Sequence, residues 1–214
     1  MFKIALTGLA LAIAAPVAAS ETITLPPQTS TFSTNARGYW FTAPVDFVMR
    51  GILAPTDASS GAQSVAVMRL NGAPPLYSNT TNDFDVLHLT QNLAGTAEIP
   101  LAIQFFAGDI VGILGVRNDV NSYANTNYVT SLGGNDITLR RLGMQFSLSN
   151  TAPKDLWTEN GGSISRVFFS YDVGQLTGAV PDPSTWAMLI LGFGAVGATM
   201  RRRSGATRTT LSYA

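Results

Sequence analysis

The sequence predicts an all-β domain, a two-sheet antiparallel β-sandwich held between an N-terminal targeting segment and an apolar C-terminal helix. Three observations point there. Between residues 21 and 176 the apolar residues fall in short runs rich in Val, Ile, Phe and Tyr, punctuated by Gly, Pro, Asn and Asp. No helical period is sustained across these runs. The chain of 214 residues contains no cysteine, so roughly 155 to 160 residues between the targeting segments must be stabilised by packing alone, and a domain of that length can bury a real core.

In chain order, strands are expected at residues 38–42, 47–53, 64–70, 85–90, 99–106, 109–116, 128–132, 137–145 and 164–172. Side chains alternate along a strand, so the first sets Tyr39 and Phe41 on one face and Trp40 on the other. Ile103 with Phe105, and Val167 with Phe169 and Tyr171, alternate as half-buried strands do. Ile110, Val111, Ile113 and Leu114 are apolar on both faces and indicate a central strand. Gly108-Asp109 between two apolar runs reads as a hairpin turn, because Gly readily takes positive φ. The stretch Ala107-Gly108-Asp109-Ile110-Val111-Gly112 resembles a turn recurrent in jelly-roll domains, which implies jelly-roll-like rather than immunoglobulin-like topology. Nine strands in one domain imply two packed sheets. The longer polar connections, 74–75, 79–83, 118–127 and 150–162, are where function is expected.

The two ends read as addresses. Met1-Phe2-Lys3 supplies a charged start, residues 4–15 an apolar stretch, and Val17-Ala18-Ala19-Ser20 the small residues a signal peptidase accepts. Residues 1–20 are therefore expected to be a signal peptide cut after Ala19 or Ser20, with an uncleaved anchor as the alternative. The sandwich is expected at 21–176, a linker at 177–180 and a tail at 181–214. The tail runs Pro181-Asp182-Pro183-Ser184-Thr185-Trp186-Ala187-Met188, an apolar helix over 186–200, then Arg201-Arg202-Arg203. A spanning helix needs roughly 20 apolar residues, so this run is short for a permanent anchor. The arginines that follow it, with Arg208, place the globular part outside.

This layout resembles the PEP-CTERM sorting signal of exported bacterial proteins, in the variant with Trp-Ala-Met after the Pro-x-Pro element. Asp182 stands where that family usually has Glu, and the resemblance covers residues 180–214 only. It implies recognition of Pro181, Asp182, Pro183, Trp186, Ala187, Met188 and Arg201, Arg202, Arg203 by an exosortase-type membrane transpeptidase. It also implies transient anchorage in the inner membrane through the C-terminal helix, and delivery to the outer surface or extracellular space. An ordinary C-terminal membrane helix is the competing reading.

Eight basic against twelve acidic side chains between residues 21 and 180 leave the exported part mildly acidic, although the whole chain is neutral. No nucleic-acid partner is implied. Gly192-Phe193-Gly194-Ala195-Val196-Gly197 has dinucleotide-binding spacing, but no βαβ unit surrounds it; its small residues suit close helix packing instead. His88 is the single histidine and no Gly-x-Ser-x-Gly elbow occurs, so a Ser-His-Asp triad has no support; a strand histidine on the solvent-facing side, or one hydrogen-bonded at a sheet edge, is expected.

Asp83 and Asp85 share a strand face, and Asp119 sits in an Asn-rich loop with Asn118, Asn121 and Asn125. Such oxygens suit calcium, the one cofactor the chain suggests; ordinary turn chemistry is the competing reading. Twelve scattered acids cannot be sorted into a glycosidase pair from sequence. Trp40, with Tyr77, Tyr123, Tyr128 and Trp157, could form a sugar-stacking platform, against the alternative that these rings are buried. The function expected is therefore that of a non-enzymatic protein of the cell envelope or extracellular polysaccharide matrix, binding carbohydrate. A polysaccharide hydrolase and a self-associating matrix protein are the alternatives.

Overall fold

The computed structural model describes residues 20–125, 127–176, 187–188 and 190–193. The expected signal peptide up to residue 19, the expected linker, Pro181, Asp182, Pro183, Trp186 and Arg201, Arg202 and Arg203 lie outside the described residues. Ala187, Met188 and 190–193 are helical with exposed side chains. No helix among the described residues is long and apolar enough to cross a membrane.

Residues 20–176 belong to one compact unit and the helical turns to a second. The first contains fourteen strands: β1 Glu21–Thr22, β2 Ser30–Ser33, β3 Arg37–Thr42, β4 Phe47–Leu53, β5 Gln63–Leu70, β6 Phe84–Leu93, β7 Ile99–Phe105, β8 Ile110–Arg117, β9 Val120–Asn125, β10 Tyr128–Leu132, β11 Asn135–Gly143, β12 Trp157–Glu159, β13 Ser163–Ser165 and β14 Phe168–Val173. They form an antiparallel sandwich of a small sheet, β1-β14-β4-β7, and a large one, β10-β11-β3-β8-β5-β6. The large sheet is extended by β9 beside β8, with β2 and β13 on β9 and β12 on β11, so that it curls at one end. Pairing is nested: β5 with β6, β4 with β7, β3 with β8. That is a long hairpin rolled across two sheets, the jelly-roll arrangement.

Eight of the nine expected strands are present, with small shifts at their ends, and β8 is central as its two-sided apolar run requires. Four further strands arise, β9 and β12 within expected polar connections and β1 and β2 ahead of the first expected strand. Asn118 and Asp119 both take positive φ, forming a two-residue turn that folds β9 directly back beside β8. β9 escapes notice because its buried Asn121 replaces an apolar residue: Oδ1 accepts from the Arg37 N–H at 2.8 Å while Nδ2 donates to the Phe32 and Asn35 carbonyls at 2.9 Å each. The expected strand at 164–172 is two strands, since Ser165 belongs to the large sheet and Phe168 to the small one.

The Gly108-Asp109 turn is also corrected. It joins strands of different sheets and so makes an arch rather than a hairpin. A second arch, from β3 to β4, lies beside it: the Ala43 N–H donates to the Asp109 carbonyl at 2.8 Å and the Gly108 N–H to the Ala43 carbonyl at 2.9 Å. The arches position the sheets, and the core fills the space between them.

That core is aromatic at its centre. Phe41, Phe47, Phe105, Phe169 and Tyr171 are buried, with ring centroids 5.1 Å apart for Phe47–Phe105 and 6.0 Å for Phe41–Phe169. Each such pair adds about 1 kcal/mol beyond the area buried. A second apolar cluster covers the opposite face of the large sheet, with Trp40, Ala66, Met68, Leu114 and Leu142 packed under Met144, Leu148 and Leu156. Both faces of β3 are therefore core, and the centre of the large sheet is buried on two sides.

Candidate ligand-binding cleft

The cover over the second cluster is made from two loops that pair as if they were strands. The Tyr77 N–H donates to the Thr158 carbonyl at 3.0 Å and the Thr158 N–H to the Pro75 carbonyl at 2.9 Å; further along, Thr81 and Leu156 exchange two bonds of 2.9 Å. The Asn82 Oδ1 accepts from the Asp155 N–H at 2.8 Å, and its Nδ2 donates to the Asp155 carboxylate at 2.8 Å. Residues 71–83 and 144–160 are thereby fixed together against the sheet.

Where this cover meets the sheet it leaves a cleft of about 400 Å³ lined by Trp40, Ala73, Pro74, Leu76, Asn127, Arg140, Thr158, Glu159 and Asn160. Trp40 and Arg140 stand directly opposite on β3 and β11, so alternation delivers both to the same face. The guanidinium of Arg140 lies 5.5 Å from the indole centroid. The indole is held from behind, its Nε1 donating to Thr158 Oγ1 at 3.0 Å while that hydroxyl donates to the Arg141 carbonyl at 2.6 Å. Asn127, at positive φ, donates from Nδ2 to the Asn160 carbonyl at 3.2 Å, tying the cleft wall across the β9–β10 turn. Glu159 directs its carboxylate to Arg141, 3.1 Å away.

The aromatic residues singled out in the sequence do not form one platform. Trp40 lines the cleft but is only 9% exposed, so little of its ring is open to a ligand. Tyr77 is 53% exposed beside the lining residue Leu76, with its ring 5.1 Å from Trp157. Trp157 is fully buried, lying 4.7 Å from the Arg37 guanidinium and 5.6 Å from that of Arg141. Tyr123 is buried on the inside of the curl, stacked on Phe32 at 5.6 Å with Arg141 over its ring. Burial pushes its phenol above the usual range, against the pull of the Arg141 and Arg37 charges, and the same burial lowers Arg37. Tyr128 is half-buried at the margin of the inter-sheet core.

The candidate calcium ligands are also separated. Asp83 accepts from Asn71 Nδ2 at 2.7 Å, and Asp85 lies opposite Arg69 across β5 and β6. Asp119 takes the Ser147 hydroxyl at 2.5 Å and that of Ser149 at 3.0 Å, which ties the β8–β9 turn to the cover. Among the described residues no three His, Asp or Glu side chains come together as a metal site. His88 lies on the edge strand β6 with Nε2 2.8 Å from Thr90 Oγ1, and partial burial lowers its pKa.

Arg140, Asn127, Asn160 and Glu159 are the polar residues that sequence pattern alone does not single out. Arg140 alternates with Ile137 and Leu139 and is legible as outward-facing, but its meeting with Trp40 depends on register between strands about a hundred residues apart. Compared with protein-family models, characterised proteins and solved structures, the chain matches none.

Proposed function

We propose that this is an exported, non-enzymatic β-sandwich protein, sorted through a PEP-CTERM-like tail by an exosortase-type transpeptidase and acting at the cell surface or in the extracellular polysaccharide matrix, where its cleft holds a carbohydrate chain. The observation that supports binding is the cleft itself, where Trp40, apolar Pro74 and Leu76, Arg140 and two asparagines line about 400 Å³. Mixed apolar and amide lining suits the alternating C–H and hydroxyl surfaces of a sugar. Binding is favoured over hydrolysis because Glu159 is the single carboxylate among the described lining residues, whereas hydrolysis needs two flanking the bond.

The test is a polysaccharide array probed with the full chain, with calcium or chelator, while released reducing sugar is assayed in the same wells. Retention without release supports the reading; release of sugar replaces it with hydrolysis. Sorting is tested separately in the producing cell, where loss of mass from the C-terminus on export, abolished by replacing Pro181, Asp182 and Pro183, is the expected result.

A further inference from the structure

We infer that the ligand of the cleft is an anionic polysaccharide, one whose sugars carry carboxylates, gripped by Arg140; this rests on the carbohydrate-binding reading above. Among the described residues, six of the seven arginines are engaged. Arg37 donates to the Ala36 and Met144 carbonyls, Arg117 to those of Ala54, Gly61 and Gly95, and Arg141 to that of Ser163. Arg50 pairs with Asp172, Arg69 with Asp109 and Arg166 with Asp57. Arg140 alone has no hydrogen-bond acceptor or carboxylate partner among the described residues, and it is the one that lines the cleft.

Its surroundings are arranged to leave it free. Glu159, the acid in the same wall, already lies against Arg141 at 3.1 Å, so it offers little competition for Arg140 and little repulsion to an incoming anion. The Trp40 ring beneath keeps the guanidinium plane from wandering, which lowers the ordering cost of a fork-to-fork contact. The domain is otherwise acidic, with twelve acids against eight bases over residues 21–180, so Arg140 is not one member of a general basic surface. A planar carboxylate on a pyranose matches the guanidinium fork, and Asn127 and Asn160 line the same cleft.

The experiment compares unesterified oligogalacturonate with the same oligomer fully methyl-esterified, which keeps the sugar backbone and replaces each charged carboxylate by a neutral methyl ester. Binding to the full chain in mild detergent is followed by calorimetry. The unesterified oligomer is expected to bind about tenfold or more tightly than the ester, with the preference weakening as salt rises. Arg140→Gln should remove that preference, and Arg140→Lys should restore part of it; thermal melts of both variants should match the parent, since the side chain is exposed. Equal binding of acid and ester, or a preference that survives Arg140→Gln, overturns the inference while leaving carbohydrate binding standing. Failure of both forms to bind overturns it too, and the array then decides whether carbohydrate binding falls with it.

Discussion

The guanidinium of Arg117 grips the carbonyl of Ala54 twice, through Nε at 3.2 Å and Nη2 at 2.8 Å. Its remaining nitrogen donates to the Gly61 carbonyl at 2.7 Å and that of Gly95 at 2.8 Å. Among the described residues no carboxylate takes part. A buried charge is thus solvated by three carbonyl groups from the two connections that carry the chain between the sheets, 54–62 and 94–98, and burial lowers its pKa. Replacement by Met leaves these acceptors without a partner inside the protein. Arg117→Met is expected to lower the unfolding free energy by about 3 kcal/mol or more, and Arg117→Lys by nearly as much, because an ammonium cannot reach acceptors arranged around a fork. Urea midpoints at constant slope measure both.

Gly38 sits on β3 where β8 passes closest. A Cβ there would lie 1.8 Å from the Ile113 carbonyl oxygen and 2.9 Å from Leu114 Cα, and neither backbone atom can move without parting the two central strands. Gly38→Ala is expected to cost at least about 4 kcal/mol and to leave little folded protein. Gly72→Ala, with nothing within 4 Å of its Cβ position, should be close to neutral. Paired yields and melting curves separate the two.

The single histidine makes one region of the pH profile assignable. Partial burial lowers the His88 pKa from 6.5, so between the folded value and 6.5 the unfolded chain binds more protons. The stabilising contribution is therefore complete above pH 6.5 and lost as the pH falls through the folded value. Asp172, held low by the Ser20 hydroxyl and then by Arg50, and Asp46, held low by Gln175 and then by the Ala107 N–H, contribute in the same direction but at more acid pH, below 3.8. Melting temperature should thus fall in two stages on acidification, and His88→Gln should flatten the first while leaving the second. A first stage that persists in His88→Gln would show that another group titrates there.

What could be read from the pattern alone was the part governed by local rules. Alternation at Phe169 and Tyr171 marks a strand because their side chains meet the inter-sheet core, and the two-sided apolar run at Ile110 to Leu114 marks one because Val111 and Ile113 meet that core while Ile110 and Leu114 meet the second cluster on the opposite face. The illegible part is where polar residues are buried and satisfied at long range. Asn121 in β9 is fully buried on partners far from it in the chain, and Trp157 belongs to a stack assembled from strands far apart in sequence. The Gly108-Asp109 turn has hairpin chemistry, yet the strands on either side belong to different sheets, a choice made by the rolling of the whole hairpin rather than by the turn. The cleft suffers most, since it depends on the register of β3 with β11 and on how two loops pair over the sheet.

The two tryptophans of the domain should separate cleft from scaffold. Trp157→Ala empties a fully buried site between two guanidiniums and is expected to cost about 3 to 5 kcal/mol; Trp157→Phe keeps most of the apolar contact and should fold. Trp40→Phe loses the Nε1 bond to Thr158, worth about 1 kcal/mol, together with much of the surface on which Arg140 rests. A ligand entering the cleft changes the environment of Trp40 and leaves that of Trp157 nearly untouched. Indole fluorescence titrated with a bound oligosaccharide should therefore respond in Trp157→Phe and fall silent in Trp40→Phe. The opposite pattern would place the ligand at the curled end of the large sheet, on Tyr77 and the Trp157 stack, instead of in the cleft.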